Sequence, residues 1–219
     1  VATTYWRPYD AAMPWCSDDA HAEKILGKIR EFSPRAVSIE ADLSDTSSPT
    51  RIFDTVADSI GPVSALVMAH CQSVDSDIET TTVESFDLHF AVNARATWLL
   101  IREFGRRYQG EHGRGRIISI TSDHIAYNMP YGASKGAMDR IVLAAAQEFK
   151  DLGVTANVIN PGGTDTGWMS DDMKERIRHE TPLGRVGLPK DCASLVNFLC
   201  SDEGGWINGQ LVYSNGGVQ

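Results

Sequence analysis

Short apolar, β-branched runs alternate along the chain with longer stretches whose apolar positions recur every three to four residues. That is the pattern of a parallel sheet covered by helices. The short runs predict strands near 1–6, 36–41, 63–69, 115–121, 154–159 and 209–213. Between them the helical period predicts helices near 18–31, 48–60, 84–108, 131–150, 170–178 and 190–200. The punctuation agrees: Ser17 or Asp18 can cap the first helix, Gly61-Pro62 closes the second, and Gly110 and Gly113 follow the third. No linker, repeat or low-complexity tract divides the chain, so the expectation is a single α/β domain over 1–219 with a doubly wound parallel sheet.

Two of these helices are apolar on more than one side. Positions 133, 137, 138, 141–146 and 149 form one such surface, and Trp98-Leu99-Leu100-Ile101 forms another. A subunit interface would cover them, which predicts a homo-oligomer; deep burial in a monomer is the alternative.

Charge narrows the function. With 20 Lys+Arg against 29 Asp+Glu, the net charge is −9, which repels nucleic-acid backbones and anionic lipid surfaces. The longest unbroken apolar run, 141–146, is far shorter than the roughly 20 residues a membrane span needs. The amino terminus has neither the basic start nor the apolar stretch of a signal peptide, so a cytoplasmic location is expected. Cys16, Cys71, Cys192 and Cys200 form no CxxC pair and no grouping with histidine at metal-ligand spacing. Reduced thiols and no metal site are the expectation.

The chemistry centres on Tyr131-Gly132-Ala133-Ser134-Lys135 at the start of a predicted helix. Residues four apart share one helix face, so the phenol and the ammonium are neighbours. A phenol that acts near neutral pH needs its pKa lowered from about 10, and a neighbouring lysine ammonium could supply part of that. Nine residues earlier, the strand Ile117-Ile118-Ser119-Ile120 runs into Thr121-Ser122-Asp123, which places a hydroxyl at a strand's carboxyl end, where open α/β sheets bind ligands. The next strand runs into Asn160-Pro161-Gly162-Gly163-Thr164-Asp165-Thr166, bringing amides and hydroxyls to the same edge.

These residues resemble the short-chain dehydrogenase/reductases over essentially the whole chain. Tyr131 and Lys135 match the family's Tyr-x-x-x-Lys, Ser122 its serine, and Asn93, in Phe90-Ala91-Val92-Asn93, its helix asparagine. Pro182-Leu183-Gly184-Arg185, Gly187-x-Pro189, Asp191-x-Ala193, Phe198-Leu199, Gly209-Gln210 and Gly216-Gly217 are similar to the branch containing 3-oxoacyl-carrier-protein reductases. The resemblance implies a Rossmann-like fold, a dimer or tetramer, and hydride transfer between a nicotinamide cofactor and a carbonyl or secondary alcohol. In that reading Tyr131 donates the proton, Ser122 bonds the substrate oxygen, Lys135 holds the ribose and favours the phenolate, and Asn93 holds a water leading to solvent. Pro161, Gly162, Thr164 and Thr166 would contact nicotinamide, with Ala69 lining the cofactor site. Asp42-Leu43 would contact adenine, or else simply cap the following turn. Arg7 suits a 2′-phosphate and favours NADP(H), while Asp10 nearby keeps NAD(H) open. A 3-oxoacyl thioester is the nearest substrate class. An acyl-carrier partner would need a basic landing site, for which Arg102, Arg106, Arg107, Arg114 and Arg116 are candidates; a solvated charged face is the alternative.

Departures from the pattern are equally visible. The glycine-rich phosphate turn and the strand before it are absent, so the chain begins at what looks like the family's second strand. Omission of an upstream segment is the expected reason. Met68-Ala69-His70-Cys71 stands where the family has Asn-Asn-Ala-Gly, which removes an asparagine brace. His70 could contact ribose or be a satisfied buried histidine. His124, Trp168 and Met169 are candidate substrate contacts, with the helix after Met169 a candidate lid. Each could instead be an ordinary wall or surface residue. Two other classes remain: a non-redox relative similar to halohydrin dehalogenases, against which Lys135 argues, and a catalytically silent binding protein of the same fold.

Overall fold

The computed structural model describes residues 1–13 and 19–218. The strands are β1 (Ala2–Tyr5), β2 (Val37–Glu40), β3 (Ala65–Met68), β4 (Arg116–Ile120), β5 (Thr155–Asn160) and β6 (Leu211–Tyr213), matching the six predicted runs. The helices are α1 (Arg7–Ala12), α2 (Asp19–Arg30), α3 (Ser48–Ser59), α4 (Val83–His89), α5 (Ala96–Arg107), α6 (Met129–Glu148), α7 (Asp171–Glu180) and α8 (Pro189–Cys200). Helix α1 falls where the sequence pattern predicts only a loop; Pro8 in its first turn has the fixed φ that suits a helix start. The predicted cap at Ser17 or Asp18, like Cys16, lies outside the described residues.

All strand pairs are parallel. Strands β3-β4-β5-β6 form one four-stranded sheet, and β1-β2 form a separate pair. Among the described residues no ladder joins β1 to β3.

Strand periodicity explains the double winding. Adjacent residues point to opposite faces: Ile117 joins Leu100 and Phe104 of α5 and Met138 and Val142 of α6, while Ile118 packs with Ile159 against Leu199 of α8. Burying each such side chain contributes about 1.5–3 kcal/mol. The apolar side of α6 is thus largely covered from within, whereas Trp98 on α5 remains 48% exposed. No helix among the described residues is long and apolar enough to cross a membrane.

The predicted helix 84–108 is interrupted. Between α4 and α5 the backbone forms a π-helical segment, Phe90–Arg95, in which Ala96 N–H bonds to Ala91 O. Such insertions frequently accompany functional sites because they redirect one or two side chains. Here the redirected segment contains Asn93.

Candidate active site

The site forms at the carboxyl ends of β3 and β4. Strand β4 delivers Thr121 and Ser122, and Tyr131 occupies the first turn of α6, behind Pro130. Gly132 makes this start feasible: a Cβ there would lie 1.9 Å from His124 O, so the loop after Ser122 lies directly against the helix. The same loop holds Tyr127 at φ +63°, in the left-handed region that a bulky residue seldom adopts.

Lys135, one turn into α6, is buried. Its Nζ donates to Ile120 O at 2.9 Å and to His70 O at 3.3 Å, strapping together the ends of β4 and β3. It also stands 5.8 Å from the centre of the Tyr131 ring. Burial lowers the lysine pKa, opposed by the nearby Cys71 and Asp139. For Tyr131, burial pushes the phenol pKa above its ordinary value, Cys71 adds to the rise, and a hydrogen bond with the Ser122 side chain opposes it. In the chain by itself the shift thus runs opposite to the lowering expected with a ribose present. The ammonium is directed at two main-chain carbonyls, and desolvation governs the phenol. Both burial and Cys71 thus favour the protonated phenol.

Asn93 is fully buried in the π-helical segment. Its Oδ1 accepts Gln72 N–H at 2.7 Å, and its Nδ2 donates to Gln72 O at 2.9 Å and Ser134 Oγ at 2.8 Å. Ser134 Oγ in turn donates to Tyr131 O at 2.8 Å. Both amide hydrogens are taken within the chain, so the carboxamide braces the turn carrying Tyr131. His70 also resolves: Nε2 is 3.1 Å from Val92 O, which makes it a hydrogen-bonded interior histidine.

Ser122, Tyr131, Lys135 and Asn93 are thus gathered at one place, and the candidate cofactor and substrate residues surround it less tightly. Asp42 Oδ1 accepts Ser44 N–H at 2.8 Å, the turn-capping alternative, and Leu43 belongs to the core. Arg7 Nε donates to Glu40 Oε1 at 2.8 Å, an ion pair between the ends of β1 and β2 that the sequence reading did not include. Ala69 is exposed at the end of β3. Gly162 has φ +61°, and a Cβ there would lie 2.6 Å from Asn215 Cβ, so the turn after Pro161 packs closely on the end of the chain. Thr164 Oγ1 donates to Pro161 O at 3.3 Å, while Thr166 is exposed. The Trp168 indole N–H donates to Thr164 O at 3.1 Å, Met169 is buried, and the His124 side chain is exposed. Lys174 on α7 pairs with Asp165 at 2.9 Å, tying that helix to the same loop.

The arginines form no landing site beside this centre. Four of the five flank the loop between the end of α5 and the start of β4, whereas Ser122 follows the opposite end of β4. Arg107 pairs with Asp54 at 2.6 Å, Arg102 and Arg106 face Glu103 at 3.5 and 3.7 Å, and Arg114 pairs with Asp202. Arg116 is buried and donates to Gly113 O and Gly115 O. Position and pairing both fit the solvated charged face that was the alternative to a landing site.

Two residues near the site escaped the sequence reading. Tyr9 Oη accepts Ser73 N–H at 3.2 Å, and burial together with Cys71 raises its phenol pKa. Cys71 lies in the field of Tyr9, Tyr131 and Lys135 alike. The one local signal was a cysteine in place of a family glycine.

A family model described as enoyl-(acyl carrier protein) reductase matches residues 13–219. The chain is 36% identical over 208 residues to the uncharacterized oxidoreductase YjdA of Bacillus subtilis (strain 168), covering 93% of this chain and 83% of that protein. It is 35% identical over 224 residues to the chloroplastic NADPH-dependent aldehyde reductase-like protein of Arabidopsis thaliana, covering 93% and 82%. A short chain dehydrogenase from Burkholderia cenocepacia J2315, solved in complex with NADP, superposes with a TM-score of 0.86 at 27% identity, covering 99% of this chain and 86% of that one. Together with the gathered serine, tyrosine, lysine and asparagine, these matches establish that the chain belongs to the short-chain dehydrogenase/reductase family of oxidoreductases.

Proposed function

We propose that this protein reduces a small aldehyde or ketone to the alcohol with NADPH. The observation that carries the reading is the Tyr131 phenol, hydrogen-bonded with the Ser122 side chain and standing one helical turn from the buried Lys135 ammonium. NADP(H) is favoured by the relatives named as NADPH-dependent reductases and by the neighbours solved with NADP.

The donor set suits an anionic dinucleotide. Lys135 would hold the ribose hydroxyls, main-chain groups from Pro161 to Thr166 with the Thr164 and Thr166 hydroxyls would bind the nicotinamide end, Ala69 would line the cleft, and Asp42 and Leu43 would meet the adenine. Arg7 would take the 2′-phosphate after leaving Glu40; an exposed ion pair of this kind opens at little cost. Bound NADPH supplies the hydride. The chain's own work is to orient the carbonyl and to manage one proton: Ser122 Oγ donates a hydrogen bond to the carbonyl oxygen, and Tyr131 Oη delivers its proton there as negative charge develops. Lys135 stabilises the phenolate left behind. His124, Trp168 and Met169 would shape the substrate side.

Replacing Tyr131 by Phe tests this directly. Turnover of 4-nitrobenzaldehyde with NADPH should fall by about 10²- to 10⁴-fold while NADPH fluorescence titrates as in the parent protein. Near-normal turnover would sink the assignment.

A 3-oxoacyl thioester is a second reading, supported by the carboxyl-terminal motifs and by the description of the matching family model. It requires that acetoacetyl-coenzyme A be reduced with a higher kcat/KM than 4-nitrobenzaldehyde. We also propose self-association through α5, where Trp98 stands exposed beneath the Arg102 guanidinium, 5.2 Å from the ring centre. Light scattering should give a multiple of 24.0 kDa, and a monomer mass refutes it.

A further inference from the structure

The four-residue stretch after β3 touches both halves of the proton-handling machinery. His70 O accepts from Lys135 Nζ at 3.3 Å, and the His70 ring places Nε2 3.1 Å from Val92 O inside the π-helical segment. Two residues on, Gln72 clamps the Asn93 carboxamide from both sides, through N–H to Oδ1 at 2.7 Å and O to Nδ2 at 2.9 Å. Thr97 completes the arrangement by donating to Asn93 O at 2.8 Å and lying 3.5 Å from His70 Nε2.

A π-helical insertion has poorer hydrogen-bond geometry than the helix around it and persists where side chains hold its carbonyls. Here they come from outside its own run: Val92 O faces the imidazole and Asn93 O faces the Thr97 hydroxyl. Withdrawal from water and the Lys135 cation lower the His70 pKa to about 3, so the ring is neutral. With Nε2–H donating to Val92 O, the proton sits on that nitrogen.

We propose that His70 is a positioning residue for the reduction: its ring fixes the π-helical turn that aims Asn93 at Ser134, and its carbonyl places Lys135 below Tyr131. This rests on Tyr131 being the proton donor. His70 touches neither substrate nor reacting atoms; it acts through Asn93 and Lys135.

His70→Gln and His70→Ala test it, because glutamine can set an amide donor where Nε2 stands and alanine cannot. Two measurements separate the proposal from the reading it rests on. The first is amide hydrogen exchange across residues 91–97, which needs no turnover. It should speed up at least tenfold in His70→Ala and stay near the parent rate in His70→Gln. The second is kcat with NADPH and 4-nitrobenzaldehyde, counted per site that binds NADPH. It should fall on the order of tenfold to a hundredfold in His70→Ala, as expected for a misplaced reacting group, and recover to within a few-fold in His70→Gln. A merely structural role would lower the number of binding sites and leave kcat per site unchanged, which overturns the proposal. Equal behaviour of the two variants, or unchanged exchange in His70→Ala, overturns it as well. If exchange responds as stated but Tyr131→Phe retains turnover, the functional reading fails and the positioning of the turn by His70 stands.

Discussion

Strands β4 and β5 are buried over almost every residue, whereas β1 and β2 are at best half-buried throughout. The same contrast runs through the polar contacts. On the β4 side, the buried Asn93 donates to the buried Ser134, and the buried Lys135 donates to Ile120 O, through short bonds. On the β1 side, the main feature is an exposed ion pair between Arg7 and Glu40. Hydrogen bonds away from water are stronger and costly to leave unmade, while exposed ion pairs are cheap to rearrange. The groups proposed to transfer the proton therefore lie in a tightly bonded half of the molecule, and those proposed to select the cofactor's adenosine end lie on an adaptable half.

The sharpest way to break this comparison is to weaken each half separately. Phe104 on α5 is completely buried in the core formed with α3, α6 and the sheet, so Phe104→Ala should cost about 3–5 kcal/mol in urea unfolding. Ile39 of β2 is only partly buried against the same core, and Ile39→Ala should cost about 1–2 kcal/mol. Equal costs would show that the two halves are equally consolidated. Next in size is Gly132→Ala. Its methyl would meet a main-chain oxygen at 1.9 Å, which cannot yield as a side chain does. We expect a loss of about 1–3 kcal/mol and a kcat decrease of at least about tenfold, as the loop after Ser122 is pushed off α6.

What the sequence revealed did not divide along these two halves. All six strands and the partners Ser122, Tyr131 and Lys135 were legible, because period-2 and period-3.6 patterns and an i, i+4 pair are local properties. The π-helical segment within 84–108 was not, since a single inserted residue barely disturbs an apolar stripe seven turns long. Nor were His70 with Val92, Arg7 with Glu40, or Arg114 with Asp202: each partner lies 22 to 88 residues away, and nothing local fixes such a pairing. For the arginines after Trp98, Glu103 on the same helix was a local partner visible in the sequence, whereas Glu40 opposite Arg7, Asp54 opposite Arg107 and Asp202 opposite Arg114 are supplied by the fold.

A smaller effect concerns pH. His89 is completely buried, with Nδ1 2.7 Å from Ser85 O and Nε2 accepting Val74 N–H at 3.1 Å, so it requires the neutral ring. Burial lowers its pKa below 6.5, as it does for His70. A depressed folded pKa means that the unfolded chain binds the extra proton first. Stability is therefore complete above about pH 6.5 and falls as the pH drops below it. Urea midpoints should decrease from pH 7.5 to pH 5.5, where carboxylates still remain largely ionised. His89→Asn, which cannot gain a proton, should be less stable at both values yet show a shallower slope. A midpoint independent of pH in the parent protein would refute this.

The smallest effect probes the adaptable half most directly. If Arg7 meets the 2′-phosphate only after leaving Glu40, the carboxylate opposes NADPH twice, by holding the guanidinium and by repelling the phosphate. Glu40→Gln removes both penalties, and NADPH should bind more tightly by no more than about tenfold, since exposed pairs contribute little. NADH carries no 2′-phosphate and should be unaffected. Arg7→Ala should erase the difference between the two cofactors, and adding Glu40→Gln to it should then recover only the part due to repulsion. Fluorescence titrations of NADPH and NADH against the three variants decide the matter. Parallel changes for both cofactors would mean that the pair merely holds β1 against β2, and cofactor choice would have to lie elsewhere.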